Sequence, residues 1–532
     1  MNRLLRLCSV TCRYPTFVGA FALANIVLFG VPLYSFALAN SPADLWPKSG
    51  VLVLLTGVQV VVTVLALTSV SLLSIRATKV VCIALLVGNS TALYFMNTYN
   101  VLLDKSMMGN VLGTDRQEAT ELLHPQILLY VLLLGALPAC LVAMARIVDS
   151  SRLRRLRLLA ITAVTGCVMV YAGSTSWLWF DKNAKTLGGL MLPWSYVANT
   201  GRFLQERADA NRPQALLPPL RFSVEPRLKT IVVLVIGESA RAQNHSLYGY
   251  GRSTDAELAG TDVIALPGAR ACATYTTAAI RCMLSHLGSD APGRVTEEIL
   301  PNYLQRHGVE VIWRSNNWGE PPLKVGVRQR LEDIRKACTG AACGDLEHDE
   351  GLLHGLQEVL ARSPSQRIFV VLHLAGSHGP TYYRKYPAAF TRFAPVCQSV
   401  ELSTCSHQSL VNAYDNTIVY TDHVLAETVK VLAAVPASSS SMIYISDHGE
   451  SLGERGFYLH GAPNSIAPDV QRAIPFMVWM SPSFKQSNRV SAADLRAKGD
   501  FGDANIFHSV LGAFAARSAV YDPHLDLFSH SR

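Results

Sequence analysis

Charge is scarce in this chain, and acidic charge is rarest in its first third. Of 532 residues only 16% are charged while 50% are hydrophobic, and the mean hydropathy is +0.23. That balance excludes an intrinsically disordered protein, which needs low hydrophobicity and high charge. Residues 1–180 hold six Asp/Glu against thirteen Lys/Arg, so +7 of the +8 net charge sits there and the remaining 352 residues are nearly neutral. A basic catalytic half that grips nucleic acid is thereby excluded. No CxxC spacing occurs, which argues against a thiolate zinc site, and no Cys/Ser-x-Pro-x-Arg motif occurs, which argues against a sulfatase nucleophile. There is no internal repeat, and no low-complexity tract beyond Ser438–Ser441.

Charge is missing altogether from five long apolar stretches, 17–38, 51–75, 80–103, 126–145 and 158–180. A helix needs roughly 20 apolar residues to cross a bilayer core, so each is long enough to span. The absence of any charge within them argues against a transporter. Ten basic residues flank one side of these spans (Arg3, Arg6, Arg13, Arg76, Lys79 and the Arg146–Arg157 group), against Lys48, Lys105 and Arg116 on the other. The bias predicts a cytoplasmic N-terminus and an exported remainder. The first span is too long for a cleavable signal and lacks a small-residue cleavage site. Trp177, Trp179 and Phe180 read as interfacial aromatics ending the last span, and Leu190–Trp194 as a patch lying along the membrane surface. The expected organisation is a membrane domain over 1–180, an interfacial helix and Pro-rich linker over 181–229, and a catalytic domain over 230–532.

The cysteines agree with export. Six of eleven lie in the soluble part as local pairs, Cys272/Cys282, Cys338/Cys343 and Cys397/Cys405, and predict three disulfides in an oxidising compartment such as the periplasm. From Thr230 onward, β-branched runs alternate with helical patterns, which predicts an α/β domain built on a largely parallel sheet. Four runs end in polar clusters: Ile231–Ile236 before Glu238-Ser239, Val309–Trp313 before Arg314–Asn317, Ile368–Leu374 before Gly376–Gly379, and Met442–Ile445 before Ser446–Glu450. In open α/β sheets ligands bind beyond the carboxyl ends of the strands. Glu238, Asp447 and His448, with His378 and His460, are the residue types that bind zinc in catalytic sites. His245, His354 and His407 read as surface or structural residues. Water, Ser239, Thr274, Thr276 and Thr277 are all available as nucleophile, and spacing does not choose among them.

The run Ser446-Asp447-His448-Gly449-Glu450-Ser451-Leu452-Gly453-Glu454, followed by Tyr458-Leu459-His460-Gly461, resembles the phosphoethanolamine transferases that modify lipid A, the family of EptA and the mobile colistin-resistance enzymes. Val235–Arg241, His373…Gly376–Pro380 and His407–Asn416 carry the same likeness. The resemblance implies an alkaline phosphatase/sulfatase fold behind a five-helix membrane domain. It implies Thr276 as nucleophile and Glu238, Thr276, Asp447 and His448 as ligands of a tightly bound zinc. His378 and His460 fall at positions for a second zinc or the substrate phosphate, and Lys324 at a basic position near the phosphoethanolamine. Asn110, Thr114 and Glu118 match a periplasmic loop that reaches the active site. The implied reaction moves phosphoethanolamine from phosphatidylethanolamine to lipid A through a phosphothreonine-type intermediate, giving resistance to polymyxin and cationic peptides. The implied protein is a monomer in a Gram-negative inner membrane. Two acceptor or donor changes stay open on the same fold: transfer to core sugars or periplasmic glucans, and phosphoglycerol transfer. Departures from the family pattern are Ser239, Ala273, Leu374 and the Trp318–Pro322 stretch.

Overall fold

The computed structural model describes residues 11–41, 45–113, 124–148, 151–173, 177–210, 214–291, 295–339, 343, 346–400, 402–499 and 501–529. The chain forms two compact units, Met1–Phe203 and Leu204–Arg532.

The first unit is helical and membrane-embedded. Four helices are long and apolar enough to span a bilayer: Lys48–Ser71, Ile75–Tyr99, Pro125–Met144 and Arg152–Ala172. A fifth candidate is the pair Tyr14–Phe29 and Val31–Asn40, bent by 69°. The bend falls at Gly30 and Pro32. A side chain at Gly30 would run into the Ile26 carbonyl, and proline interrupts the helical hydrogen-bond ladder. Leu128, Leu129, Leu132, Leu133, Leu137 and Leu141 are all exposed on Pro125–Met144, an apolar face that a lipid bilayer would cover.

One detail differs from the sequence reading. The fifth apolar run does not continue as one helix to Phe180. It stops at Ala172 with Gly173 as C-cap, and Trp177–Leu190 forms a separate helix. The Leu190–Trp194 segment packs against other helices of this unit. Leu190, Leu192 and Pro193 are buried, and the Leu192 carbonyl accepts from Asn25 Nδ2 at 3.0 Å and Gln59 Nε2 at 3.2 Å. A helix break buried in an apolar bundle needs such donors, because water cannot reach the freed carbonyl.

The second unit is built on a seven-stranded sheet. In chain order the strands are β1 (Lys229–Gly237), β2 (Ile264–Ala265), β3 (Glu310–Ser315), β4 (Val327–Arg330), β5 (Arg367–His373), β6 (Ser438–Ser446) and β7 (Phe476–Met480). Their spatial order is β2-β7-β6-β1-β5-β3-β4. The pairs from β6 to β4 are parallel, and β7 is antiparallel to both of its neighbours. β1 is central and buried on both faces, which explains its unbroken apolar run. Val232, Leu234 and Ile236 join one core with Ile280, Tyr303 and Val510. Ile231, Val233 and Val235 join the other with Val424 and Leu425 of the helix His407–Ala433. The register sets Ile236 opposite His373, and Gly237 opposite Ser446. The residues that follow β1, β5 and β6 therefore leave the sheet at one level. Cys272–Cys282, Cys338–Cys343 and Cys397–Cys405 are all disulfide-bonded.

Candidate active site

Glu238 follows the last residue of β1, and the chain turns sharply behind it. Ser239 adopts φ 58°, a left-handed conformation that is costly for a residue with a side chain. Three contacts hold it there. Its Oγ donates to Glu238 Oε1 at 2.7 Å, its N–H to Asp447 Oδ1 at 3.2 Å, and its carbonyl accepts from Tyr414 Oη at 2.7 Å. The turn aims the Glu238 carboxylate at a buried cluster. Thr276 Oγ1 donates to Glu238 Oε2 at 3.1 Å and lies 3.5 Å from His448 Nε2. That same nitrogen is 3.3 Å from Glu238 Oε1 and 3.4 Å from Asp447 Oδ2. Asn317 Nδ2 donates to Glu238 Oε2 at 2.9 Å.

Thr276 opens the helix Thr276–Leu284, whose first backbone N–H groups are a general site for phosphate oxygens. The Cys272–Cys282 bridge ties the chain before this helix to its body. Cys272 N–H donates to buried Asp503 at 2.7 Å, and Thr274 and Gly461 are joined by a backbone bond of 2.8 Å. The segment that carries Thr276 is thus fastened on both sides.

Electrostatics set the protonation of this cluster. Burial alone would raise Glu238, but His448, His378, His460 and the Ser239 hydroxyl together hold it well below the usual carboxylate range. Burial and the neighbouring Glu238 charge push Asp447 well above that range. Burial brings His378 and His460 down to about 3, so both imidazoles are neutral at pH 7. Glu450 is pushed up to about 8, chiefly by burial, and its Oε2 lies 3.3 Å from His460 Nδ1.

Two ligand sets share Glu238: one with Asp447 and His448, the other with His378 and His460. The His448 and His460 rings are 4.3 Å apart, centroid to centroid, and those of His378 and His460 5.3 Å. Asp447 Oδ2 is buried with no hydrogen-bond partner. An orphan carboxylate oxygen beside an imidazole and a second carboxylate is the donor set expected of a metal site.

Glu238, Thr276, Asp447, His448, His378 and His460 are therefore brought together. Lys324 is exposed and outside this cluster, its backbone N–H donating to Asn302 Oδ1 at 2.7 Å. Thr114 and Glu118 lie outside the described residues, and of Asn110 only the backbone is described, in the helix Lys105–Gly113. His245 is structural: it is buried and bonded to Asp255 at 2.6 Å. The sequence reading missed Asn317 as a partner of Glu238, and Asp349, which accepts from Ala375, Gly376 and Asn316 and so anchors the loop after β5.

That loop crosses Glu238 closely. At Gly376, with φ +50°, a Cβ would stand 2.8 Å from the Glu238 carbonyl oxygen and 2.9 Å from its nitrogen. Gly376→Ala is expected to destabilise the domain by about 1–3 kcal/mol and to lower metal occupancy, read by thermal melting and metal analysis. An unchanged melting temperature would contradict this.

Comparison with known proteins shows the family. A family model described as Sulfatase matches residues 230–516, and one described as Phosphoethanolamine transferase EptA/EptB matches residues 59–208. The phosphoethanolamine transferase EptA of Helicobacter pylori is 40% identical over 457 residues, 84% of each chain. The chain belongs to the phosphoethanolamine transferase family. The Escherichia coli phosphatidylethanolamine transferase Mcr-1 is 35% identical, over 75% of this chain and 78% of that one. The solved structure of the Neisseria meningitidis lipooligosaccharide phosphoethanolamine transferase EptA superimposes with a TM-score of 0.86 at 28% identity, covering 97% and 98% of the two chains. The architecture of this family member is a transmembrane helical domain joined to a sulfatase-like α/β domain, and its activity is that of a phosphoethanolamine transferase.

Proposed function

We propose that this enzyme moves phosphoethanolamine from phosphatidylethanolamine to lipid A phosphates through a covalent threonine intermediate. The observation that carries the reading is the Thr276 hydroxyl, buried at a helix start and 3.1 Å from Glu238 within the Glu238/Asp447/His448 ligand set. A lipid A-type acceptor is supported by the name of one relative: the Escherichia coli Kdo(2)-lipid A phosphoethanolamine 7''-transferase is 28% identical over 83% of this chain.

The residues that would hold a metal are Glu238, Thr276, Asp447 and His448, and two carboxylates, an imidazole and a hydroxyl suit zinc. Zinc bound there supplies positive charge that lowers the pKa of the threonine hydroxyl and offsets charge at the phosphoryl oxygens. His378 and His460, neutral at pH 7, offer lone pairs to a second ion or hydrogen bonds to the phosphate. Thr276 Oγ attacks phosphorus, forming a Thr276 oxygen–phosphorus bond as the bond from phosphorus to the glycerol oxygen breaks. Diacylglycerol leaves, taking up one proton. An oxygen of the lipid A phosphate then attacks the same phosphorus and returns Thr276 to its free form. Asn317 and Ser239 hold the Glu238 carboxylate in place throughout, and the helix Thr276–Leu284 turns its first N–H groups toward the phosphoryl oxygens.

The positive-charge bias supports a periplasmic soluble domain, 230–532, on an inner-membrane anchor formed by 1–180, with an interfacial helix and linker over 181–229. Lys324 and the Asn110, Thr114 and Glu118 loop are assigned to substrate contacts on the family resemblance. An added ammonium offsets a lipid A phosphate charge and weakens the attraction of cationic peptides such as polymyxin.

The donor is tested by incubating the full-length, zinc-loaded protein with vesicles of phosphatidylethanolamine or of phosphatidylglycerol. Diacylglycerol release from the first alone is the expected result. Release from phosphatidylglycerol alone would move the enzyme to phosphoglycerol transfer.

A further inference from the structure

Five helix ends meet at one pole of the membrane unit, and a short ribbon ties them together. Lys48–Ser71 and Pro125–Met144 end there, and Tyr14–Phe29, Ile75–Tyr99 and Arg152–Ala172 begin there. The buried Arg155 donates through Nη1 to the Ser71 carbonyl. Lys79 Nζ donates to the Ala143 carbonyl at 2.7 Å and to the Ala145 carbonyl at 3.0 Å. Directly after Ala145, the strand Arg146–Val148 pairs in parallel with Thr11–Arg13, with Thr11 opposite Arg146 and Arg13 opposite Val148.

The ribbon has two unlike faces, because side chains alternate along a strand. Cys12 and Ile147 turn inward and pack on the apolar core of the bundle. Thr11, Arg13, Arg146 and Val148 are all exposed on the outer face. Strands lie roughly 4.8 Å apart and rise roughly 3.3 Å per residue, which sets the Cα atoms of Arg13 and Arg146 about 8 Å apart on that face. Arginine side chains based at that spacing can meet on one phosphate, each offering two parallel N–H donors. Neither guanidinium makes an ion pair or a hydrogen bond with another described residue. Over 1–13, 72–79 and 145–157, the segments at this pole, the sequence holds ten Lys/Arg against one acid, Asp149.

A charge bias that only orients a membrane protein needs basic residues near the span ends, in any arrangement. Here the arrangement is specific: Lys79 holds the carbonyl from which one strand starts, and the pairing register turns Arg13 and Arg146 to one side. Leu73, Val148 and Leu153, exposed at the same pole, suit the boundary where acyl chains give way to head groups. We propose that the outer face of this ribbon binds the phosphate of an anionic phospholipid between Arg13 and Arg146, with the Thr11 hydroxyl beside them. A zwitterionic head group brings its own cation to the phosphate and gains less from two arginines; phosphatidylglycerol brings none. The site shares no residue with the cluster around Thr276 and does not depend on the chemistry assigned there.

The test is photo-cross-linking of the full-length protein carrying p-benzoylphenylalanine in place of Val148, on the same face as both arginines. The vesicles hold phosphatidylcholine and phosphatidylglycerol in equal amounts in both leaflets, so the direction of insertion does not enter. The quantity read is the ratio of cross-linked phosphatidylglycerol to cross-linked phosphatidylcholine, by mass spectrometry of the labelled peptide. It is internal to each protein, so a partial loss of folded chain cancels. The expected ratio is about 5- to 30-fold, the effect of one or two arginines beside an anionic lipid. Arg13→Gln with Arg146→Gln should bring it close to one. Arg152→Gln with Arg154→Gln removes the same charge from the same pole and should leave most of the preference. A ratio near one before any arginine is changed would overturn the proposal. Equal losses in the two double variants would overturn it too, by showing a diffuse field around the basic pole in place of a site. A second probe, replacing Thr11, guards against a Val148 probe that disturbs the ribbon. No lipid cross-linked from either position would put this face away from head groups and overturn the proposal as well.

Discussion

Thr276→Ala should lower diacylglycerol release from phosphatidylethanolamine by at least about 10⁴-fold, the scale seen when an enzyme loses its covalent nucleophile. The substitution removes one hydroxyl from a helix start whose Cα position is fixed by the Cys272–Cys282 bridge and the Thr274–Gly461 backbone bond. The fold should therefore survive, with an unchanged far-ultraviolet spectrum. Glu238, Asp447 and His448 keep their positions around the vacated hydroxyl, so most of the metal should remain bound. Thr276→Ser keeps the attacking oxygen but drops the methyl that packs under Gly319, and should retain measurable turnover. An alanine variant with more than a few per cent of wild-type release would move the attack to water or to another hydroxyl.

Metal affinity should fall steeply as the pH is lowered, because carboxylate ligands must be deprotonated to bind. The sign follows from the two carboxylates. Glu238 is held well below its ordinary range, whereas Asp447 is pushed well above its own by burial and by Glu238. Asp447 is therefore the ligand at which protons compete most strongly with the metal. His378 and His460, brought down to about 3, are neutral at pH 7 and do not compete there. Asp447→Asn should abolish most of the affinity and flatten its pH dependence. Calorimetric titration of chelator-stripped protein at several pH values measures this directly. An affinity that stays flat or rises as the pH is lowered would contradict this assignment of charge. The same experiment predicts that chelation abolishes transfer and that added zinc restores it.

Much of the soluble domain was legible because its central strands bury both faces. The four runs at Ile231, Val309, Ile368 and Met442 are apolar apart from Glu310 and His373, and the strands start or end within one to four residues of them. The edges were not legible. β4 reads Val-Arg-Gln-Arg and is only half-buried, so no hydrophobic pattern marks it. The Ser438–Ser441 tract passes for low complexity, although it is the start of β6, next to the central strand, with three of its four serines buried. The clustering of Glu238, Asp447 and His448 follows from topology alone, since all three come just after parallel neighbours in the sheet. The choice of Thr276 among four hydroxyl side chains and water did not: it depends on the 3.1 Å contact with Glu238 across 38 residues, and only the family resemblance anticipated it.

The membrane unit shows the converse. Five apolar runs announce themselves by composition, yet hydropathy does not register a helix end. The run to Phe180 breaks after Ala172, and the apolar Leu190–Trp194 segment is buried against Asn25 and Gln59, polar side chains whose role is to meet a freed carbonyl. Lys324 is a different case. The Trp318–Pro322 stretch precedes it, and its exposed position carries no geometric link to the cluster among the described residues.

The central claim is transfer of phosphoethanolamine to lipid A, and mass spectrometry of lipid A tests it most directly. Lipid A would be taken from a Gram-negative host lacking its own transferases and expressing either the wild type or Thr276→Ala. A mass gain of one phosphoethanolamine group with the wild type, absent with the variant, is the predicted result. Unmodified lipid A from cells holding folded, zinc-loaded wild type would contradict the account and move the acceptor to core sugars, glucans or another envelope component.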